Sequence, residues 1–151
     1  LSSHFLNPGI VISMPQYDFY HFNVRNALIK DGWTITDDPF KIEYEDIKLY
    51  ADLGAEKIFA AEKCERKIVV EIKVFNSPSL ITELQKTLGQ YSIYRSYLKR
   101  TNPERKLYLA IGIDIYQDFF QRPSIQVIIE DYDLKIIVFN PDTEEIIQWT
   151  S

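Results

Sequence analysis

Hydrophobic positions along the chain change period several times, and each change predicts an element. Tyr17, Tyr20, Val24, Ala27 and Leu28 recur at helical spacing, so Asp18 to Lys30 reads as a helix, with Asp18 at its start and Gly32 at its stop. Trp33 to Thr36 and Phe40 to Tyr44 carry short strand signals around Asp37-Asp38-Pro39, which reads as a turn. Lys48 to Leu53 and Ile58 to Glu62 read as further strands, with Lys63 to Arg66 as a polar turn. Lys67 to Phe75 is the densest β-branched run of the chain and predicts a buried strand. Ser79 is placed to cap a helix running to about Leu98, with Leu80, Leu84, Leu88, Tyr91 and Leu98 as its core stripe. Arg105 to Ile111 predicts a strand, Asp114 to Phe120 a short helix, and Pro123 to Glu130 a helical or mixed segment. Leu134 to Phe139 and Glu145 to Trp149 predict two strands joined by Asn140-Pro141-Asp142-Thr143.

This order predicts an α/β (α+β) domain, a mixed central sheet flanked by helices. The helix after Lys67–Phe75 makes a crossover, which favours parallel pairing of that strand with Arg105–Ile111. A single domain over 14–151 is expected. Met14-Pro15 reads as a natural start, and residues 1–13 as an extension outside the fold that is poorly packed or docks on a neighbour.

The run Lys67–Phe75 contains an anomaly. Side chains alternate along a strand, so Ile68, Val70, Ile72 and Val74 line one face, while Glu71 and Lys73 share the other with Val69 and Phe75. A strand covered on both sides should be apolar on both. Burying an acid and a base there costs several kcal/mol unless they are paired or bind something. Asp52 stands near the end of the preceding long strand signal, and Gln90 and Tyr94 stand four apart on one face of the following helix.

Two carboxylates from neighbouring strands supply oxygen ligands to a hard cation such as Mg²⁺, or Mn²⁺ in its place. The carbonyl of Ile72 is available as a further ligand. Such an ion polarises a phosphoryl group and acidifies a bound water, and a lysine on the same face positions that water or stabilises developing charge. The set therefore fits metal-assisted phosphodiester hydrolysis. Taken singly, the same residues have plainer readings: an ion pair for Glu71 and Lys73, a turn residue for Asp52, a helix surface pair for Gln90 and Tyr94.

Charge and composition narrow the classes. A net charge of −5 means that nucleic-acid binding must come from a local patch or a metal ion. Two basic groups stand out, Arg95 to Lys106 and Lys57 to Lys67, and these read either as solvated faces or as a phosphate track flanking the metal site. One cysteine, Cys64, excludes an intrachain disulfide and points to a reducing, cytoplasmic setting. No apolar run reaches the length of a membrane span.

The spacing Asp52, Glu71-x-Lys73, Gln90-x-x-x-Tyr94 resembles that of the PD-(D/E)XK nucleases, especially their lambda-exonuclease-like and Holliday-junction-resolvase-like branches. Longer segments, Asn26 to Ile35, Ala51 to Glu56, Ala60 to Lys63, Val70 to Lys73 and Leu88 to Tyr91, are similar in order and spacing to the XisH family, the fdxN element excision controlling factor. The resemblance covers roughly Met14 to Trp149. It implies a restriction-endonuclease-like core and a role in programmed excision of a DNA element during heterocyst differentiation. DNA, a small XisI-like protein and a separate site-specific recombinase are the implied partners, and a homodimer is left open.

Carried over by residue, the resemblance implies Asp52 and Glu71 as metal ligands and Lys73 as the catalytic lysine. Gln90 and Tyr94 support the site or contact phosphate. Related nucleases often place a glutamate on the first helix, eleven residues before its closing glycine. That position here is His21, a ligand or phosphate contact in its place. Enzymatic activity stays open at this point. The alternatives are a non-catalytic accessory protein acting with its small partner, and a nuclease-like toxin controlled by that partner.

Overall fold

A computed structural model describes residues 3–7, 10–13 and 16–150, with side chains described for 16–150. Strands β1 (Ser3–Asn7) and β2 (Ile10–Ser13) pair antiparallel in a two-stranded sheet of their own. The expectation that 1–13 is poorly packed or docks elsewhere falls on side chains outside the described residues. Helix α1 (Gln16–Lys30) follows, then β3 (Thr34–Asp37), the hairpin β4 (Phe40–Tyr44) and β5 (Ile47–Ala51), and β6 (Leu53–Phe59). Next come β7 (Cys64–Lys73), α2 (Leu80–Thr101), β8 (Arg105–Gly112) and α3 (Ile113–Ile115), which continues into a π turn at Tyr116–Phe120. The chain closes with α4 (Pro123–Asp131), β9 (Ile136–Asn140) and β10 (Glu145–Thr150).

Six strands form a central mixed sheet in the order β10-β9-β8-β7-β6-β3. β7 pairs antiparallel with β6 and parallel with β8, so the α2 crossover has the expected outcome. Its two apolar faces separate two cores. Val69 and Phe75 join Leu84, Tyr91 and Leu98 of α2. Ile68, Val70 and Ile72 join Val24 and Leu28 of α1 on the other side. Val69, Val70 and Ile72 are at most 1% exposed, and burial of each such side chain contributes about 1.5–3 kcal/mol.

Local chemistry explains the ends of the helices. Gly32, at φ +94°, takes the left-handed conformation that stops α1, and the Trp33 amide donates back to the Leu28 carbonyl at 2.9 Å. Ser79 caps α2 as expected, its hydroxyl accepting from the Thr82 amide at 3.3 Å.

Strand boundaries around the site differ from the sequence expectation. β5 ends at Ala51, Asp52 lies in a bend, and β6 starts at once at Leu53, five residues earlier than the expected strand at Ile58. The turn is Ala60–Lys63 rather than Lys63–Arg66, so β7 begins at Cys64, three residues before the expected Lys67, and ends at Lys73. Lys63 supplies the positive φ, 51°, that this turn requires. Gly54 is needed for close approach: a Cβ there would lie 2.7 Å from the Phe40 ring and 2.8 Å from an Asp37 carboxylate oxygen. Among the described residues no helix is long and apolar enough to cross a membrane.

Candidate active site

Asp52 and Glu71 reach each other because the bend after β5 sits beside the end of β7. β6 and β7 stay in antiparallel register from Phe59↔Cys64 up to Leu53↔Val70. The next residues outward are therefore Asp52 on one chain and Glu71 and Ile72 on the other. The Ile72 amide donates to Asp52 Oδ2 at 2.7 Å, and the Asp52 amide donates to Glu71 Oε1 at 3.3 Å. Backbone thus locks each carboxylate to the other's strand. The expected use of Ile72 was its carbonyl; the structure uses its amide to fix Asp52.

Both acids are sunk into the protein, at 8% and 9% exposure. Burial pushes the Asp52 carboxyl up, against the Ile72 amide and the Lys73 charge that favour its ionised form. Glu71 is pushed up to about 8, by burial first and by the Asp52 charge second. Burial and mutual repulsion thus act together against ionising both carboxyls, as they must for two adjacent acids in a dry setting. Lys73 lies on the same face, its Nζ 3.6 Å from Glu71 Oε2.

His21 closes the site from α1. Its Nδ1 stands 3.9 Å from Asp52 Oδ1 and its Nε2 bonds Asp38 Oδ1 at 2.8 Å. Arg25, one turn further along α1, bonds the other Asp38 oxygen at 3.0 Å. Asp38 was legible only as part of a turn, and its role in holding His21 was missed. A carboxylate on the far nitrogen orients an imidazole and fixes which nitrogen carries the proton.

Gln90 and Tyr94 approach from α2. Gln90 Nε2 donates to the Tyr94 hydroxyl at 3.0 Å, and that hydroxyl donates to the Tyr50 carbonyl at 3.0 Å. Tyr94 thereby pins the end of β5, two residues before Asp52. Its phenol is pushed up by burial and then by the nearby Glu71 charge. Gln90 Oε1 is buried with no hydrogen-bond partner. The structure thus gathers all six sequence candidates, His21, Asp52, Glu71, Lys73, Gln90 and Tyr94, around one end of β7.

The donor set decides what the site can hold. Two carboxylates are hard donors of the kind that Mg²⁺ and Mn²⁺ take, whereas the nearby imidazole is a borderline donor that Mg²⁺ does not favour. Among the described residues no cluster of three or more acidic, histidine or cysteine side chains stands ready to hold a metal by itself. Mg²⁺ binds proteins through one or two carboxylates and leaves other positions to water and phosphate.

The basic groups lie elsewhere. Lys67 and Ile68 pair with Arg105 and Lys106 at the start of β7, four residues or about 13 Å along the strand from Glu71. A phosphate track directly flanking the two acids is not what these residues form. Cys64, expected in a turn, is the first residue of β7.

Comparison with known proteins places the chain in a family. Residues 14–147 match the model of the XisH family, described as XisH protein. A crystal structure of an XisH family protein from Nostoc punctiforme PCC 73102 is 38% identical, with a TM-score of 0.80, covering 89% of this chain and 100% of that one. A crystal structure of an fdxN element excision controlling factor protein from Anabaena variabilis is likewise 38% identical, with a TM-score of 0.80, covering 89% of this chain and 99% of that one. No curated protein matches the chain. The chain belongs to the XisH family.

Proposed function

We propose that this XisH family chain is a metal-dependent phosphodiester hydrolase of the PD-(D/E)XK type that acts on DNA, in excision of a DNA element. The setting comes from the Anabaena variabilis relative, described as an fdxN element excision controlling factor protein. One observation carries the chemistry: two carboxyls, Asp52 and Glu71, are buried against each other with Lys73 on the same face. A structural ion pair needs one acid. Two buried acids that repel cost free energy, and that cost is the mark of a site waiting for a cation.

Asp52 Oδ1 and Glu71 Oε2 are the oxygens left to hold Mg²⁺, since Oδ2 and Oε1 are taken by backbone amides. When bound, the ion acidifies water and neutralises phosphoryl charge. Lys73 then orients the attacking water and stabilises the charge that develops on phosphate. His21, held by Asp38, stands beside the site with its Nδ1 3.9 Å from Asp52 Oδ1. Tyr94 fixes the chain that presents Asp52. DNA and a small XisI-like protein are the proposed partners.

A second reading is an accessory module whose site binds without cutting; it is favoured by the clasp in which Asp52 and Glu71 each already hold a backbone amide of the other's strand. One experiment separates the two. Purified protein is incubated with single-stranded, duplex and branched DNA in Mg²⁺ or Mn²⁺. The hydrolase reading expects cleavage that falls about 10²–10⁴-fold in Lys73→Ala and as far in Asp52→Asn. Cleavage that survives both substitutions defeats it. No cleavage of any substrate, with DNA or partner binding unaffected by Glu71→Gln, selects the accessory reading.

A further inference from the structure

The acids account for one end of β7 and leave the other end unexplained. There, on the α1 face of the sheet, lies a cleft of ≈ 680 Å³. That volume suits an organic ligand. It arises because α1 packs on β10, β9, β7 and β3, and the starts of β7 and β8 remain uncovered on this face.

The floor is aromatic. Trp33 and Trp149 stack at 5.4 Å, and Tyr108 meets Trp149 edge-on at 5.0 Å. Phe59 stands at the side, edge-on to Trp33. Trp33 is buried, whereas Tyr108, Trp149 and Phe59 are partly open to solvent. The rim mixes four cations, Lys57, Arg66, Lys67 and Lys106, with three acids, Asp31, Glu65 and Glu104. Lys57 stands 3.9 Å from Asp31, Lys67 3.7 Å from Glu65 and Arg66 3.1 Å from Glu62, which leaves Lys106 as the rim cation with no acid partner among the described residues. Arg66 rests its guanidinium 4.5 Å over the Phe59 ring, so this rim already engages aromatic faces.

Lys106 also lines a second cleft of ≈ 230 Å³ on the α2 face, with Arg95, Lys99 and Lys135, where Asp133 is the one acid among the lining residues. Lys106, which lines both clefts, and Lys99 have no acid partner among the described residues and set positive charge at the strand ends on both faces of the sheet. In a chain of net charge −5 this is a local concentration, not a global property.

Stacking surfaces with adjoining cations fit a nucleobase carrying a phosphate. A duplex hides its base faces, so only an unpaired base reaches this floor. An acidic peptide would use the cations and leave the aromatic floor idle. A free nucleotide would leave the second cleft idle.

The geometry points to this end as a non-catalytic site for single-stranded DNA. One or two unstacked bases lie on Tyr108 and Trp149, and flanking phosphates follow Arg66 and Lys106 over the strand ends to Lys99 and Lys135. The assignment rests on the reading that the chain acts on DNA, but it needs neither Asp52, Glu71 nor a metal.

The chain has two tryptophans, Trp33 and Trp149, and both line the cleft, so intrinsic fluorescence reports on it directly. The full chain is titrated in EDTA with an oligothymidylate of about twelve nucleotides, within the usual range for such grooves. Expected are quenching of tryptophan emission, a rise in anisotropy of labelled oligomer, and affinity that falls with salt. Tyr108→Ala weakens binding about tenfold, as loss of one stacking platform would. Lys106→Glu, an exposed change that leaves the unfolding midpoint in place, weakens it by a similar factor. The proposal is overturned by absence of quenching at low salt, or by Lys106→Glu binding as the wild type does. It is equally overturned if thymidine monophosphate quenches as strongly as the oligomer, or if polyglutamate competes as well as DNA. Loss of Mg²⁺-dependent cleavage in Lys73→Ala with quenching intact separates this site from the hydrolytic one.

Discussion

At its start β7 runs beside Arg105, and at its end it presents Glu71. Both side chains are ionisable, and both are sunk into the same sheet. Arg105 is 8% exposed as a side chain and fully answered. It donates to the Ile68 carbonyl at 2.9 Å and to Glu56 at 3.3 Å, and its guanidinium lies 4.8 Å over the Phe40 ring. Glu71 is answered only in part: Lys73 offers a positive charge, and Asp52 sets a second negative one against it. A buried charge with opposite partners and hydrogen bonds is architecture. A buried charge with a like neighbour is a strained arrangement that folding alone does not reward. The contrast sets a fully paired charge near one end of the strand against two acids pressed together at the other.

The largest way to break this contrast acts on stability. Arg105→Met removes the cation that Glu56 and Asp37 share and is expected to cost about 1.5–3 kcal/mol, as loss of hydrogen bonds from a charged group does when the acids left behind stay partly exposed. Glu71→Gln keeps a donor and an acceptor for Asp52 while deleting the repulsion, so the metal-free protein should lose nothing and gain stability above neutral pH. Urea unfolding of both variants measures the difference. Equal losses would mean that Glu71 is as much architecture as Arg105.

A second test uses protons. The Glu71 carboxyl goes from an ordinary 4.5 when unfolded to about 8 when folded. Between those values the folded protein binds more protons than the unfolded chain. Stability conferred by the protonated group is therefore complete below about 4.5 and falls as pH rises toward 8, by up to about 1.4 kcal/mol per pH unit. Chemical denaturation at pH 5.5, 7 and 8.5 should show that decline, and Glu71→Gln should flatten it. Added Mg²⁺ should restore stability at the alkaline end, because a cation replaces the proton. A profile unchanged by Glu71→Gln would remove the electrostatic half of the comparison.

How much of this was legible from sequence follows the same division. Period-two alternation put Glu71 and Lys73 on one face of β7 and Ile68, Val70 and Ile72 on the other, and the two cores divide along that line. Ser79 and Gly32 marked helix ends that the chain respects. The start of β6 was hidden because Gly54, Ala55, Glu56 and Lys57 carry no β-branched signal; pairing with β7 makes them a strand. Arg105 read as one member of a basic run, because its partners come from β3 and β6 and only the folded sheet brings them together. Asp38 was hidden for the same reason: its partner His21 is seventeen residues away on a helix.

The smallest test compares two tyrosines of α2. Tyr91 and Tyr94 lie three residues apart, and each hydroxyl donates to a backbone carbonyl at 3.0 Å, of Leu107 and Tyr50 respectively. Each also accepts a hydrogen bond, Tyr91 from the Lys135 amide and Tyr94 from Gln90. By hydrogen-bond count they are equivalents, and Tyr→Phe at either should cost about 1–2 kcal/mol. Their locations differ. Tyr91 ties α2 to the start of β8 at the scaffold end, whereas Tyr94 ties it to the residue two before Asp52. Tyr94→Phe should therefore also lower apparent Mg²⁺ affinity, read as a smaller Mg²⁺-induced rise in Tm, while Tyr91→Phe should leave that rise unchanged. An equal loss of Mg²⁺ response in both would show a general loosening of α2, and the division of β7 into scaffold and site would lose its support from that helix.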